Sequence, residues 1–296
     1  MYTLYLMFCS PFKKSKNPDT GCEFPEWVTV PRHWHTLDDS VSYVFSDQNN
    51  SFRINHHNSD YSDTTVSCAK EVVSSANTTV VVAYSTSGCE NGFVCISFHL
   101  RDKHITELQI GKFARRVEDA CQPPIHIPGI QEYITLVTST PDTDHCPALT
   151  ETNGLRIEPG HLSSLPEKCT KYTTDMVGCR SDYTLEFLTT CSSYRDLKRF
   201  QCHGTWEEKG RTYIVTGLEE SRRKVCFVFF ARSRVTLMSG LHGTCSRSVQ
   251  PGVTGNITFN ITAAGDCDYP LNPAASFTYS ACLILAFSLA LTRYIR

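Results

Sequence analysis

The sequence predicts an all-β protein: two tandem, disulfide-stapled antiparallel meander domains, barrel- or sandwich-like, followed by a C-terminal membrane helix. Three observations carry that prediction. The 296-residue chain holds 15 cysteines and no Cys-x-x-Cys pair, which speaks against zinc ribbons and redox motifs and leaves a disulfide framework made in the secretory pathway. Its apolar stretches are short, β-branched or aromatic, and separated by turn residues, a pattern of strands rather than helices. Ala274 to Thr292 carries no charge, and as a helix it reaches about 28 Å, close to the thickness of a bilayer core.

The ends come first. Residues 1–21 read as a weak or incomplete signal segment: the apolar run Met1 to Cys9 is short, no basic residue precedes it, and no small-x-small site follows it. At the other end, Cys282 to Leu291 is the apolar heart of the 274–292 segment, and the basic tail 293–296 suits the cytoplasmic side of a single-pass protein. A lipid-anchor signal fits as well, with attachment at Gly265, a polar spacer and an apolar tail. Either way the chain meets the membrane through its C-terminus, with its bulk at the cell surface.

Between the ends, two β regions are expected, an N-terminal domain over 22–121 and a C-terminal domain over 146–245. A Pro-rich linker, 122–145, separates them, with Pro123, Pro124, Pro128 and Pro141. A Gly/Thr/Asn-rich stretch, 246–273, reads as a glycosylated stalk. Sequons place candidate glycans at Asn49, Asn77, Asn256 and Asn260. In the first domain Thr79–Tyr84, Phe93–Leu100 and Ile105–Ile110 read as strands, the last through Ile105, Leu108 and Ile110. In the second, Tyr213–Thr216, Val225–Phe230 and Val235–Leu237 do so, and Tyr194 to Phe200 reads as a short helix. Alternation sends Phe227 and Phe229 to one face and Val228 and Phe230 to the other. Phe93-Val94-Cys95-Ile96-Ser97-Phe98 leading to Cys121 resembles Lys224-Val225-Cys226-Phe227-Val228-Phe229 leading to Cys245, an internal repeat.

Disulfide candidates are Cys22, Cys68, Cys89, Cys95 and Cys121 in the first domain, and Cys146, Cys169, Cys179, Cys191, Cys202, Cys226 and Cys245 in the second. Both sets are odd. Either one bridge crosses between domains or Cys267 completes the second set.

Phe24-Pro25-Glu26-Trp27 just after Cys22 begins a resemblance that is stronger downstream. There it rests on Cys191, Cys202-His203-Gly204-Thr205-Trp206-Glu207-Glu208, Tyr213-Ile214-Val215, Val225-Cys226-Phe227-Val228 and Gly243-Thr244-Cys245. Over Cys22 to Cys245 the chain resembles a family of cysteine-rich extracellular domains from invertebrate animals, known only as domains of unknown function. Arg32-His33-Trp34-His35 departs from the family's Gly-x-Trp-Phe. The resemblance implies secretion and membrane tethering, and it assigns no catalytic residue.

For chemistry, His33 and His35 share one face of a strand, with His56 and His57 a hairpin away. Such imidazoles suit zinc or copper, but no spacing fixes a third ligand, so surface histidines are the simpler reading and no metal or cofactor is expected. Nucleophile elbows, zinc-protease helices, phosphate loops and calcium loops are missing. Asp142-Thr143-Asp144-His145 reads as solvated turn, and only a triad assembled from distant residues stays open. Lys+Arg 28 against Asp+Glu 30 argues against nucleic acid; the run Arg222-Arg223-Lys224 reads as a hairpin tip. The expectation is a membrane-tethered extracellular recognition or adhesion glycoprotein, not an enzyme, whose partner is an extracellular protein or glycan. The alternative is a β-barrel holding a small apolar ligand, suggested by the likeness of Gly204-Thr205-Trp206 to the Gly-x-Trp of lipocalins. A secreted hydrolase is third, with His33, His35 and His57 the residues to replace.

Overall fold

The computed structural model describes residues 22–263 apart from 58–62, 128, 148–154, 163–171, 177–182, 192–193, 219–220 and 233–234. The described chain is all-β except for a single-turn helix, α1 (Glu26–Thr29). β1 (His33–Thr36), β2 (Val41–Phe45), β3 (Ser51–His56), β4 (Thr64–Ser74), β5 (Thr78–Ser87), β6 (Glu90–Asp102), β7 (Ile105–Ile110) and β8 (Ile134–Thr138) form a closed barrel. Each strand pairs antiparallel with the next, and β8 returns to β1 with Trp34 opposite Thr138. The second ring runs through β9 (Leu155–Leu162), β10 (Tyr172–Met176), β11 (Thr184–Cys191), β12 (Tyr194–Glu208), β13 (Arg211–Leu218), β14 (Lys224–Arg232), β15 (Val235–Leu241) and β16 (Ile257–Ala263). It closes because β9 pairs with both β10 and β16.

Alternation decides what fills each barrel. In the first, Trp34, Phe45, Phe52, Val66, Ile96, Phe98, Leu108 and Leu136 point inward and are buried. Phe24, just before α1, enters the same core and meets Phe45, Phe52 and Phe98 edge-on at 5.2–5.7 Å between ring centroids. α1 closes that mouth: Val28 is buried, and its carbonyl accepts the Trp34 indole N–H at 2.7 Å. The second interior holds Phe187, Phe200, Phe227, Phe229, Met238, Phe259 and Ile261, with Phe187 and Phe259 stacked at 5.3 Å.

Three segments differ from the sequence reading. The linker supplies β8, whose Leu136 lines the first barrel while Thr135 and Val137 face outward against the second. The stalk supplies β16: Phe259 and Ile261 alternate into the core, so these residues close the second barrel and its Thr and Asn are the outer half of a strand. Tyr194 to Phe200 is strand rather than helix. Leu197 is exposed and Phe200 buried, opposite faces for residues an odd number apart.

The repeat extends to the disulfides. Cys22, ahead of the first strand, bonds Cys68 in the fourth; Cys146, ahead of β9, bonds Cys202 in β12, the fourth strand of its ring. Cys95 in the sixth strand bonds Cys121 in the connection between the seventh and eighth, and Cys226 in β14 bonds Cys245 between β15 and β16. In both barrels the first bridge joins the inner core, and the second clamps the 7–8 connection over the outer face of strand six. None of these four bridges crosses between barrels. Cys89 is also disulfide-bonded. Cys169 and Cys179 lie outside the described residues, and Cys191 ends β11.

Candidate functional site

The barrels meet along an apolar seam. Outward-facing Leu37, Ile105 and Val137 of the first pack on Trp206, Tyr213, Val215 and Val228 of the second. Gly204 makes this approach possible. A β-bulge between Cys202 and Gly204 turns β12, and a Cβ on Gly204 would lie 2.6 Å from Ile105 Cδ1 and 2.7 Å from Asp102 Oδ2. That carboxylate accepts the Thr205 N–H at 2.9 Å. Ile105 and Leu108 therefore belong to different cores, the seam and the barrel interior.

A buried ion cluster sits at one edge of the seam. Glu107, fully buried on β7, accepts from Arg101 Nε at 2.7 Å and from both terminal nitrogens of Arg247 across the barrels. Arg247 also donates to Glu208 at 2.6 Å, and its guanidinium lies 4.0 Å from the Tyr133 ring centroid and 4.8 Å from that of Tyr213. Two arginines against two glutamates leave the cluster neutral. Burial works to raise Glu208, but the hydrogen bond and charge of Arg247 outweigh it and hold Glu208 below its ordinary value. Bidentate pairing of this kind fixes orientation as well as energy. Thr244 and Cys245 complete the lock: Thr244 Oγ1 donates to the Tyr133 carbonyl at 2.6 Å, and the Cys245 N–H donates to Thr135 Oγ1 at 2.9 Å. The Cys226–Cys245 bridge holds the segment that makes these contacts.

Two concavities adjoin at the far end of β8. The larger, about 990 Å³, is an open cleft at the mouth of the first barrel. Its apolar walls are Trp27, Val30 and Pro31 around α1 and Leu100 of β6; His33, Lys103 and His104 stand at its edge. Val30 is 75% exposed, unusual for an apolar residue beside a tryptophan and a proline. Asp142 ties the edge together, accepting from Lys103 Nζ at 2.7 Å and contacting His104 Nε2 at 3.1 Å. The smaller, about 380 Å³, is a polar crevice between the barrels, lined by His35, Thr36 and Asp39 on one side and Ser221, Arg222 and Lys224 on the other. Thr138 and Ser139 border both. Burial lowers Lys224 from its ordinary value, opposed only by the charge of Asp39.

The histidines separate by environment. His33 borders the cleft, and the ring of His35 stands 5.9 Å from that of His57, which contacts the Asp39 carbonyl at 2.9 Å. No group of three or more metal-ligating side chains gathers among the described residues. His35, His99, His126 and His203 are all held below their ordinary value, in each case chiefly by burial. Among the sequons, Asn77 is exposed at the tip of the β4–β5 hairpin and Asn256 is exposed just before β16, while Asn49 and Asn260 are half-buried. Gly265, the 1–21 segment and the 274–292 segment lie outside the described residues. Among the described residues no helix is long and apolar enough to cross a membrane. Glu107, Arg101 and Arg247 were not singled out from the sequence. Glu107 gave no distinct signal, standing with Thr106 and Gln109 among the polar residues between Ile105, Leu108 and Ile110, and its principal partner lies 140 residues away.

Fold and clamps define a tandem, disulfide-bonded pair of antiparallel β-barrels. Residues 18–135 match a family model described as Domain of unknown function (DUF7043), and residues 160–251 match one described as Domain of unknown function (DUF7045). With the four bridges, these matches fit an uncharacterised cysteine-rich family. No curated protein and no solved structure matches the chain.

Proposed function

We propose that this protein is an extracellular recognition glycoprotein, tethered to the membrane through its C-terminus, that binds a partner protein in the cleft at the mouth of the first barrel. One observation carries the reading. The first barrel is filled by a buried aromatic and aliphatic core and the second holds a buried aromatic cluster, while a cleft of about 990 Å³ stands open, apolar-walled and on the outside. A carrier of small apolar molecules needs an interior that is empty. An open cleft with a tryptophan, a proline and an exposed valine suits an apolar side chain presented by another protein. The two-barrel lock supports the same reading, because a surface fixed in advance loses little conformational freedom on binding.

The test is cell-surface staining with the multimerised protein made through a eukaryotic secretory pathway. Val30→Asp places a charge on a 75% exposed position of the cleft and is expected to abolish staining; Ile130→Asp, 72% exposed on another face, is expected to leave it intact. Equal staining by wild type and Val30→Asp would reject the cleft as the recognition surface.

A further inference from the structure

Ser139 stands where the apolar cleft meets the polar crevice, on the exposed exit of β8. Its Oγ lies 2.9 Å from His35 Nε2, and His35 Nδ1 lies 3.2 Å from Asp39 Oδ1. The three residues come from the segment just after β8, from β1 and from the β1–β2 turn, with Ser139 separated from His35 by 104 positions. We propose that Ser139, His35 and Asp39 form an ester-hydrolase site, taking carboxylic esters with an apolar acyl group and a polar or acidic alcohol portion.

Each part of the geometry has a role. A serine hydroxyl needs a neutral imidazole to take its proton and a carboxylate to hold the imidazole in the right tautomer. Burial keeps His35 below its ordinary value, so the ring is neutral at neutral pH, with Asp39 opposing that shift. Its Nδ1 is buried with its hydrogen-bonding capacity unused, and the Asp39 carboxylate stands 3.2 Å away, close enough to accept from it after a small rotation of either side chain. Asp39 adopts φ +57° in its turn, and His57 holds its carbonyl at 2.9 Å. The other contact of the Ser139 hydroxyl, to the His33 carbonyl, is longer at 3.5 Å. The two concavities sort the substrate. An acyl chain has Trp27, Val30, Pro31 and Leu100 to lie against, while the alcohol portion faces Arg222 and the ammonium of Lys224, which has no ion pair among the described residues.

The reaction balances with water alone. Ser139 Oγ bonds the carbonyl carbon as its proton passes to His35 Nε2. The ester C–O bond breaks, and His35 returns the proton to the departing alcohol. Water then attacks the acyl-serine, giving its proton to His35, and the carboxylic acid leaves as Ser139 regains its hydrogen.

The test treats the full chain, made in eukaryotic cells and purified in mild detergent, with a fluorophosphonate probe, and follows p-nitrophenyl butyrate hydrolysis. Wild type is expected to carry the probe on Ser139, located by peptide mass spectrometry. Ser139→Ala, at an exposed position that leaves the fold intact, removes both signals. His35→Gln slows labelling by about 100-fold or more. As a positioning residue, Asp39→Asn lowers kcat by about 10-fold or more with KM unchanged. No labelling of Ser139 in wild type, or labelling of His35→Gln at the wild-type rate, overturns the proposal. It goes beyond the recognition reading and fails separately from it, since staining reports on Val30 and labelling on Ser139.

Discussion

Replacing Arg247 by Met tests whether the two barrels behave as one body. Met keeps an unbranched apolar stem but removes the guanidinium that lies against the Tyr133 and Tyr213 rings. Glu107 is 0% exposed, and it would keep Arg101 alone as a cation while Glu208, 20% exposed, competes for the same partner. Breaking a buried pair by removing one partner costs about 3–5 kcal/mol, because the remaining charge stays out of water. The lost stacking on two tyrosines is a smaller part of that cost, about 0.5–2 kcal/mol. In urea with disulfides intact, the fluorine NMR signal of Trp206 in fluorotryptophan-labelled protein and the far-ultraviolet dichroism transition should coincide in wild type. In Arg247→Met the interface signal should move to lower urea and separate from the second. A companion Glu107→Gln and the double variant complete a cycle, with a coupling energy of about 1–3 kcal/mol expected for groups in direct contact. A loss under 1 kcal/mol, or additive single effects, would refute the idea that this cluster locks the seam.

Further outcomes follow from the same contacts. Gly204→Val should destabilise by about 1–3 kcal/mol through overpacking against Ile105 and Asp102, read as a lower Tm with barrel secondary structure retained. Removing the Cys226–Cys245 bridge by a double serine replacement should cost about 3 kcal/mol for a loop of 19 residues. The double variant should also lose the coincidence of the two unfolding probes, because the Thr244–Arg247 segment is freed. Acid should weaken the fold through four histidines, His126 and His203 buried and His35 and His99 half-buried. Their folded values lie below the unfolded value of 6.5, so the unfolded chain binds more protons, and stability, full above pH 6.5, falls as pH drops below it toward the depressed folded values. Urea midpoints between pH 7.5 and 5 check this; a midpoint that rises on acidification contradicts it.

The sequence was most legible where one strand carried enough apolar residues to show its period. Val225 to Phe230 divided its faces as alternation requires, with Phe227 and Phe229 inside the barrel, Val228 in the seam and Phe230 left 38% exposed. The repeat in Phe93–Cys121 and Lys224–Cys245 marks equivalent strands of two barrels, down to the clamp on strand six. β16 was harder, because Asn260 and its threonines dominate the composition and conceal the inward set of Ile257, Phe259 and Ile261. β8 is five residues long and stands among prolines. The ion cluster and the Ser139–His35–Asp39 contact left almost no local trace, since closure of a barrel and the docking of two bring together residues 104–140 positions apart. Distances of that kind follow from topology, which no spacing rule within a short window records.

Native mass spectrometry of the intact protein, made in eukaryotic cells, tests most directly whether recognition takes place on the outside of the barrels. The account predicts a mass equal to the chain plus its glycans, unchanged when the protein is denatured. A bound mass that leaves on denaturation would contradict it, because it would make the protein a carrier of a small molecule rather than a surface for another protein.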